Sequence, residues 1–98
     1  MERDLVFSAL ADPVRRELLE RLRVSNGLPI SRLAEGLPIT RQAVTKHLLV
    51  LEGANLVVTQ RKGREKLHLL NPVPIHATAM RWLERFDATP LPSFDGLV

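Results

Sequence analysis

The stretch that decides the fold is RLAEGLPITRQAVTKHLLVLEGANLV, residues 32–57. Its apolar residues recur at helical spacing on both sides of a short connection. Ala34 is the small residue that lets two helices cross closely, and Val44, ten residues later, is the buried residue expected in the second helix. This spacing predicts a helix-turn-helix whose second helix follows Thr40 as its N-cap and reaches about Gly53.

The second of these helices has an inner and an outer face. On a helical wheel Val44 and Leu51 lie on the inner face, and Gln42 and Lys46 lie roughly opposite them. Long polar and basic side chains match the base edges and phosphates of a DNA major groove. Leu49 also points outward; contact with a thymine methyl and packing against the next element are both open, and packing is preferred. The helix residues predicted to contact DNA are Thr40, Arg41, Gln42, Thr45, Lys46 and His47.

Residues 56–70 have the composition of a β-hairpin. β-prone residues precede Lys62-Gly63, which reads as a two-residue turn and would set Arg61 opposite Arg64. Because side chains alternate along a strand, one face of the hairpin is predicted to be apolar. That face holds Leu56, Val58, Leu67 and Leu69. The other predicted face holds Thr59, Arg61, Arg64, Lys66 and His68.

The cationic face of this hairpin gains nothing as an isolated element, because like charges opposite each other destabilise a β-ladder. Beside DNA the same cations would bind phosphates and release condensed counterions. The hairpin residues predicted to do so are Arg61, Lys62, Arg64 and Lys66. The alternative is an edge hairpin whose charges only protect it from aggregation.

Helical spacing and capping residues also predict the flanking elements. Helices are expected at residues 3–11, from Asp12-Pro13 to about Val24, over 30–37, and from about Val73 to Phe86 after Asn71-Pro72. The predicted fold is mainly α with a small β-hairpin, a winged helix-turn-helix in the order α-α-α-α-β-β-α. Residues 1–88 are predicted to form one domain and residues 89–98 an irregular C-terminal tail.

Length and composition bound the class of protein. A chain of 98 residues, 45% hydrophobic and 26% charged, suits one globular domain. Cysteine is absent, so neither disulfides nor thiolate metal sites can supplement the core. The apolar runs are too short to span a bilayer, and the N-terminal MERDLVFSALADP lacks the layout of a signal peptide. A cytoplasmic protein without membrane contact is expected.

The net charge of +3 is unevenly distributed along the chain. Residues 40–68 hold six basic residues against two acidic ones, a net of +4, whereas the rest of the chain has eight basic and nine acidic residues, a net of −1. A local basic excess is the electrostatic footprint of a polyanion-binding surface. Charge alone fits a solvated basic surface equally well, so the geometry has to decide.

The segment from Phe7 to Phe86 resembles the ArsR family of bacterial winged-helix transcriptional regulators. The resemblance is carried by ALADPVRRELLERL at 9–22, by the stretch 32–57 and by GREKLHLLNP at 63–72. It implies a homodimer that pairs mainly through its first and last helices and binds a palindromic operator in double-stranded DNA as a repressor. The apolar face of the last helix is consistent with such an interface. The residues expected in the dimer interface are Leu5, Val6, Ala79, Trp82, Leu83 and Phe86.

The best-known members of that family sense metals, and here the sequence departs from them. Pro29 and Ser31 stand where the thiolate pair would sit, and the histidines at 47, 68 and 76 have no ligand spacing. The chain is more similar to the cysteine-free members with LNP at the entry to the last helix, whose signal ligand these residues do not reveal. No metal site and no cofactor are predicted.

Two other functional classes compete with DNA binding. A winged-helix module that binds another protein would keep the scaffold but would not need an acid-poor outer helix face. An enzyme is not expected, because no nucleophile with a base at suitable spacing and no glycine-rich phosphate loop are found in the sequence.

Overall fold

The structure, a computed structural model, describes residues 2–92, with side chains from Leu5 onward. The elements in this range are α1 (Glu2–Leu10), α2 (Pro13–Val24), α3 (Ile30–Leu33), α4 (Arg41–Gly53), β1 (Val57–Lys62), β2 (Glu65–Leu70) and α5 (Val73–Glu84). The two strands form one antiparallel hairpin. The mainly helical fold and the predicted element order are therefore confirmed. None of the described helices is long and apolar enough to cross a membrane.

Side-chain caps start the second and fourth helices where the sequence predicts them. The Asp12 carboxylate accepts hydrogen bonds from the backbone N–H groups of Val14, at 2.8 Å, and Arg15, at 3.2 Å. The Thr40 hydroxyl oxygen accepts one from the N–H of Ala43, at 3.1 Å. Both caps satisfy backbone donors that the first turn of a helix leaves without a partner, so both predictions are confirmed.

The third helix is shorter than predicted. Its single turn ends at Leu33, whereas the sequence predicted a helix over 30–37. The chain then turns, with the Leu37 N–H donating to the Ala34 carbonyl at 3.1 Å. Gly36 has φ +75°, a left-handed conformation that favours glycine and stops the helix. Leu33 is fully buried beside α4, so the two helices still pack against each other.

The core lies where α2, α3, α4 and the base of the hairpin meet. Its largest buried side chains are Leu18, Leu22, Leu33, Leu48, Leu51 and Leu56. Burying one leucine contributes about 1.5–3 kcal/mol relative to leaving it exposed. Since α4 supplies Val44 as well as two of these leucines, one of its faces is fixed inward and the other is forced outward.

The register of the hairpin differs from the predicted one. Arg61 pairs with Lys66 and not with Arg64. The two-residue turn is therefore Gly63-Arg64 and not Lys62-Gly63. Gly63 has φ +63°, which suits a glycine at the first central position of a hairpin turn.

The buried face of the hairpin is also not the predicted one. Val57 and His68 are buried, whereas Val58, predicted to lie on the apolar face, is 46% exposed. Arg61 and Lys66 lie on the same face as Val57 and His68, nearer the turn. The face predicted to hold Thr59, Arg61, Arg64, Lys66 and His68 is thus covered by the core at its base and cationic at its tip.

A loop from the helical half of the molecule fastens the base of the hairpin. Leu28 forms a β-bridge with His68, which donates its N–H to the Leu28 carbonyl at 2.8 Å. The His68 Nδ1 also lies 3.0 Å from that carbonyl oxygen, so Nδ1 carries a proton and donates. Asn26 accepts from the Leu70 N–H at 2.8 Å. The hairpin is therefore attached to the α2–α3 loop as well as held by its own strand pairing.

The last helix packs against the first and ends earlier than predicted. It stops at Glu84, and turns occupy 85–88 where the prediction extended the helix to Phe86. The Phe7 and Trp82 rings meet edge to face, with centroids 6.3 Å apart. Residues 89–92 have no helix or strand, and the remainder of the predicted irregular tail, 93–98, lies outside the described residues. The boundary at residue 88 stays a prediction.

Candidate nucleic-acid interface

The outward face of α4 is where polar side chains are free to reach a partner. Gln42 and Lys46 are exposed and lie opposite the buried residues of the helix, as the sequence predicts. Thr40 and Arg41 are exposed at the start of the helix. A face of this composition can offer donors to base edges and cations to phosphates within one groove.

One flank of α4 faces the hairpin across a shallow cleft of about 330 Å³. Arg41 and Thr45 line the cleft from the helix, and Lys66 and His68 line it from β2. The Thr45 hydroxyl donates to the Arg41 carbonyl at 3.1 Å, which leaves its oxygen lone pairs to accept from a partner. The cleft brings helix and hairpin residues, far apart in sequence, into one surface.

Leu49 is mostly uncovered on the same outward surface. Its side chain is 57% exposed, and it lines the cleft beside the hairpin without being buried by it. The preferred sequence interpretation, packing against the hairpin, is therefore wrong for most of this side chain. Val50 next to it is also exposed.

His47 lies on the other flank of α4, away from the cleft. It is half-buried, and its Nδ1 lies 3.3 Å from Nη1 of Arg15, on α2. The sequence predicted His47 to be a flank residue near a DNA phosphate, and the structure sets it on a flank of α4 against the start of α2. Arg15 was not singled out from the sequence, because only the three-dimensional contact, across 32 positions, reveals it.

The four basic side chains at the tip of the hairpin are all exposed. Arg61 and Lys66 are cross-strand neighbours on the face that continues toward α4. Lys62 instead lies opposite Glu65, which offsets its charge. Arg64 stands in the turn, where its carbonyl accepts from Arg61 Nη1 at 3.3 Å.

The basic residues of 40–68 form no ion pairs among the described side chains, although Glu65 lies opposite Lys62 and both Glu52 and Glu65 line the cleft. Among the described side chains, the ion pairs join Arg15 to Asp12, Arg21 to Glu17, Arg23 to Glu20 and Arg32 to Glu35. All four lie on α2, its cap and α3 together with the turn that follows it. The six cations of α4 and the hairpin take part in none of them. These cations outnumber the two acidic residues of this segment, Glu52 and Glu65, so residues 40–68 keep a net charge of +4.

A second exposed surface consists of aromatic and aliphatic side chains on α1 and α5. Trp82 is 43% exposed and stacks on Phe86, with ring centroids 4.8 Å apart. Leu5 and Leu83 are about half exposed, and Ala79 is exposed as well. Val6, which the sequence placed in the same set, is only 1% exposed and has no surface left for a partner. Phe7 and Met80 extend the apolar surface beyond the predicted residues.

The histidine and carboxylate side chains stand apart from one another. Within the described range, they form no group of three or more that could hold a metal ion.

Comparisons with known proteins give the family. A family model described as "Helix-turn-helix domain" matches residues 10–60. The uncharacterized HTH-type transcriptional regulator YuzN of Bacillus subtilis is 39% identical over 88 residues, which cover 84% of this chain and 96% of that protein.

Solved structures agree with the sequence comparison. An ArsR-like transcriptional regulator from a Rhodococcus species superposes with a TM-score of 0.75 at 40% identity, covering 89% of this chain and 80% of that chain. A homodimeric winged helix-turn-helix DNA-binding domain from Mycobacterium bovis, at 18% identity, shares the fold with a TM-score of 0.69, covering 86% of this chain and 78% of that chain.

Proposed function

This chain belongs to the ArsR family of winged helix-turn-helix transcriptional regulators, and from that membership we propose that it is a homodimeric repressor that binds a palindromic operator in double-stranded DNA. In this proposal α4 is the recognition helix and enters the major groove. The hairpin, hereafter the wing, lies on the adjacent sugar-phosphate backbone. A bacterial regulator of this kind acts in the cytoplasm.

One observation carries the proposal. None of the six basic residues of the recognition helix and wing forms an ion pair with a described acid, whereas the basic residues in ion pairs lie on α2 and α3. Unpaired cations beside each other repel and cost stability. DNA phosphates remove that repulsion, and the release of counterions from DNA drives the binding.

The residues divide into those that read sequence and those that hold the backbone. Gln42 and Lys46, at the centre of the outward face, read base edges. Arg41 and Thr45 lie between the recognition helix and the wing, beside Lys66, and contact phosphates or the edge of the groove. Thr40 offers its hydroxyl to a phosphate next to the helix N-terminus, where backbone dipoles favour anions. The other backbone contacts come from Arg61, Lys62 and Arg64.

The dimer in this proposal forms through the apolar surface of α1 and α5. Leu5, Trp82, Leu83 and Phe86 leave about half of their surface exposed in one chain, and a second copy would bury it. The Mycobacterium bovis domain, which shares the fold, is homodimeric, and this supports a dimer without indicating its interface. Two recognition helices related by a two-fold axis then fit two half-sites.

The decisive experiment selects bound DNA from random fragments and measures affinities for the selected site. Gln42→Ala and Lys46→Ala should change which bases are selected and weaken binding to the site by about 1–3 kcal/mol for each base pair that is no longer read. Arg23→Ala, which removes an arginine paired with Glu20 on α2, is the charge-matched control and should leave the selection unchanged. A reporter gene placed behind the selected site tests repression. If no sequence is enriched with the parent protein, DNA recognition is refuted.

A protein-interaction module is the second candidate. The observation that favours it is the exposed aliphatic pair Leu49 and Val50 on the recognition helix. Exposed aliphatic side chains next to a charged rim are typical of protein interfaces. Failure of the DNA selection, together with loss of a captured protein on Leu49→Asp substitution, would favour this function instead.

A further inference from the structure

The guanidinium of Arg15 joins three elements of the fold. Its Nε donates to the Ala9 carbonyl at 2.8 Å, and its Nη2 donates to the Ser8 carbonyl at 3.0 Å. Both carbonyls belong to the C-terminal turn of α1, which needs donors there. Its Nη1 lies 3.3 Å from Nδ1 of His47 on the recognition helix. Only 15% of the Arg15 side chain is exposed.

The contact between Arg15 and His47 is a hydrogen bond in only one arrangement of protons. A guanidinium has only donors, so the contact is a hydrogen bond only if Nδ1 of His47 accepts. The imidazole is then neutral and carries its proton on Nε2. A doubly protonated His47 would instead set an N–H group and a positive charge against the arginine.

Asp12 completes the set of charged groups around this contact. Its Oδ2 lies 4.0 Å from Nη1 of Arg15. Burial raises the pKa of Asp12, but hydrogen bonds from the backbone N–H groups of Arg15 and Val14, together with the charge of Arg15, outweigh it, so the pKa is lowered. His47 therefore faces one cation and one anion from the start of α2, and α1 presents carbonyl oxygens.

We propose that Arg15 is a positioning residue for operator binding, which locks the recognition helix to α1 through a neutral His47. The inference rests on the proposed function, because α1 is part of the dimer surface and the recognition helix reads the operator. The contact fixes the tilt of each recognition helix relative to the two-fold axis. Protonation of His47 breaks it, so operator binding weakens on acidification.

The direction in which acidification changes DNA affinity distinguishes two roles of His47. If His47 bound a phosphate, protonation would add an attraction to DNA and acidification would strengthen binding. If His47 is the acceptor of Arg15, protonation removes a hydrogen bond and adds a repulsion, so acidification weakens binding. The direction of the pH effect therefore decides between them.

The first experiment compares operator affinity at about pH 5.5 and about pH 8, on either side of the range in which histidines ordinarily titrate. The parent protein should lose at least about tenfold in affinity at the lower pH, the size expected for one hydrogen bond to a charged group. His47→Asn keeps an acceptor near the position of Nδ1 and cannot be protonated. The ratio of its affinities at the two pH values should be smaller than that of the parent.

The second experiment uses Arg15→Gln on two DNAs, the palindrome and a single half-site. Loss of the lock should weaken palindrome binding at least about tenfold at the higher pH, where the parent forms the contact, and by less at the lower pH. Half-site binding should stay within about twofold, because only the palindrome depends on the spacing of two helices. Thermal unfolding and sedimentation of the same variant check that it folds and pairs. If Arg15→Gln does not fold, the His47→Asn comparison still decides.

Three results would overturn the inference. The first is operator affinity that rises in acid and depends on His47, and the second is a His47→Asn protein that loses as much affinity in acid as the parent. The third is a folded, dimeric Arg15→Gln protein that loses affinity equally for the palindrome and the half-site. Absence of any sequence-specific binding by the parent protein would instead refute the proposed function. The two failures are therefore distinguishable.

Discussion

Leu49 shows what a single side chain can contribute to the proposed interface. It is an aliphatic residue on the outward face of the recognition helix, one turn after Thr45 and next to Val50. Burial of such a side chain needs an apolar partner, and the only methyl group in the major groove belongs to thymine. Leu49 is therefore a candidate reader of A·T pairs in the operator.

The prediction at this scale is a coupling between Leu49 and one thymine methyl. Replacement of the contacted thymine by uracil should weaken binding of the parent protein about fourfold, since one buried methyl contributes about 0.8 kcal/mol. With Leu49→Ala the same replacement should have little effect. Competition binding measures the affinities of the parent and Leu49→Ala proteins for operators in which one thymine at a time is replaced by uracil. The four affinities at each position form a double-mutant cycle.

An equal uracil effect in both proteins would show that Leu49 contacts no thymine. Uracil replacement outside the selected site gives the reference for the change in DNA itself.

Residues whose role depends on local chemistry could be predicted, and residues whose role depends on a distant partner could not. Asp12 and Thr40 were identified as caps from their identity and their place before a helix, because a cap bonds only to the following turn. Arg15 and His68 bond to groups 32 and 40 positions away. Nothing in the pattern around either residue specifies those partners.

The wing shows the same limit at the scale of an element. Its existence and position follow from β-prone residues on both sides of a glycine, and the structure confirms them. The register does not follow, because the sequence allows the glycine at either central position of the turn. Arg64 is not among the described residues with positive φ, which fits glycine in the first position and an ordinary residue in the second.

The one-position shift of the turn moves each pair by two residues, so the same side chains share a face in both registers. Which face is buried was decided by the core and by Leu28, both of which contact β2 from outside the hairpin. Arg61 and Lys66 consequently share the face that carries His68, and Lys62 pairs with Glu65 on the other face, although Glu65 also lines the cleft beside the recognition helix. The sequence could not make that distinction.

The prediction at this scale concerns salt dependence. Arg61→Gln combined with Lys66→Gln should weaken binding to operator and to random DNA alike, because phosphate contacts carry no sequence information. The slope of log K against log salt should become shallower by about 0.9 for each phosphate that the protein no longer neutralises. Arg23→Gln, which removes one exposed charge on α2, is the control and should not change the slope. An unchanged slope in the double variant would remove the wing from the interface.

At the scale of the whole molecule, the proposed function uses two separate surfaces. The basic residues that form no ion pair, on the recognition helix and wing, bind DNA, and the apolar surface of α1 and α5 forms the dimer. The fold and the family were predictable, because the helix-turn-helix spacing and three separated motifs occur in the right order. The extent of the apolar surface was less predictable. Val6 is buried inside the chain, whereas Phe7 and Met80 are exposed, because the packing of α1 against α5 decides which positions face outward.

The prediction at this scale is that one charged substitution on the apolar surface of α1 and α5 dissociates the dimer. Leu83→Glu should raise the dissociation constant of the dimer by about a hundredfold or more, because a carboxylate buried without a partner costs about 3 kcal/mol or more. Val73→Glu is the matched control: Val73 is 66% exposed and lies in the first turn of α5, about 15 Å along the helix from Leu83, so the dimer should persist. Sedimentation equilibrium measures both.

The monomeric variant should also bind a half-site normally and lose its preference for the palindrome. A Leu83→Glu protein that still sediments as a dimer would place the interface elsewhere.

The bridge between Leu28 and His68 has a consequence for how this domain can be divided. A two-stranded hairpin on its own is marginally stable in water. Here the missing third neighbour comes from a segment 40 positions earlier in the chain. Residues 56–70 alone should therefore not form a stable wing when they are moved to another protein. In this molecule the wing should unfold together with the helices and not before them.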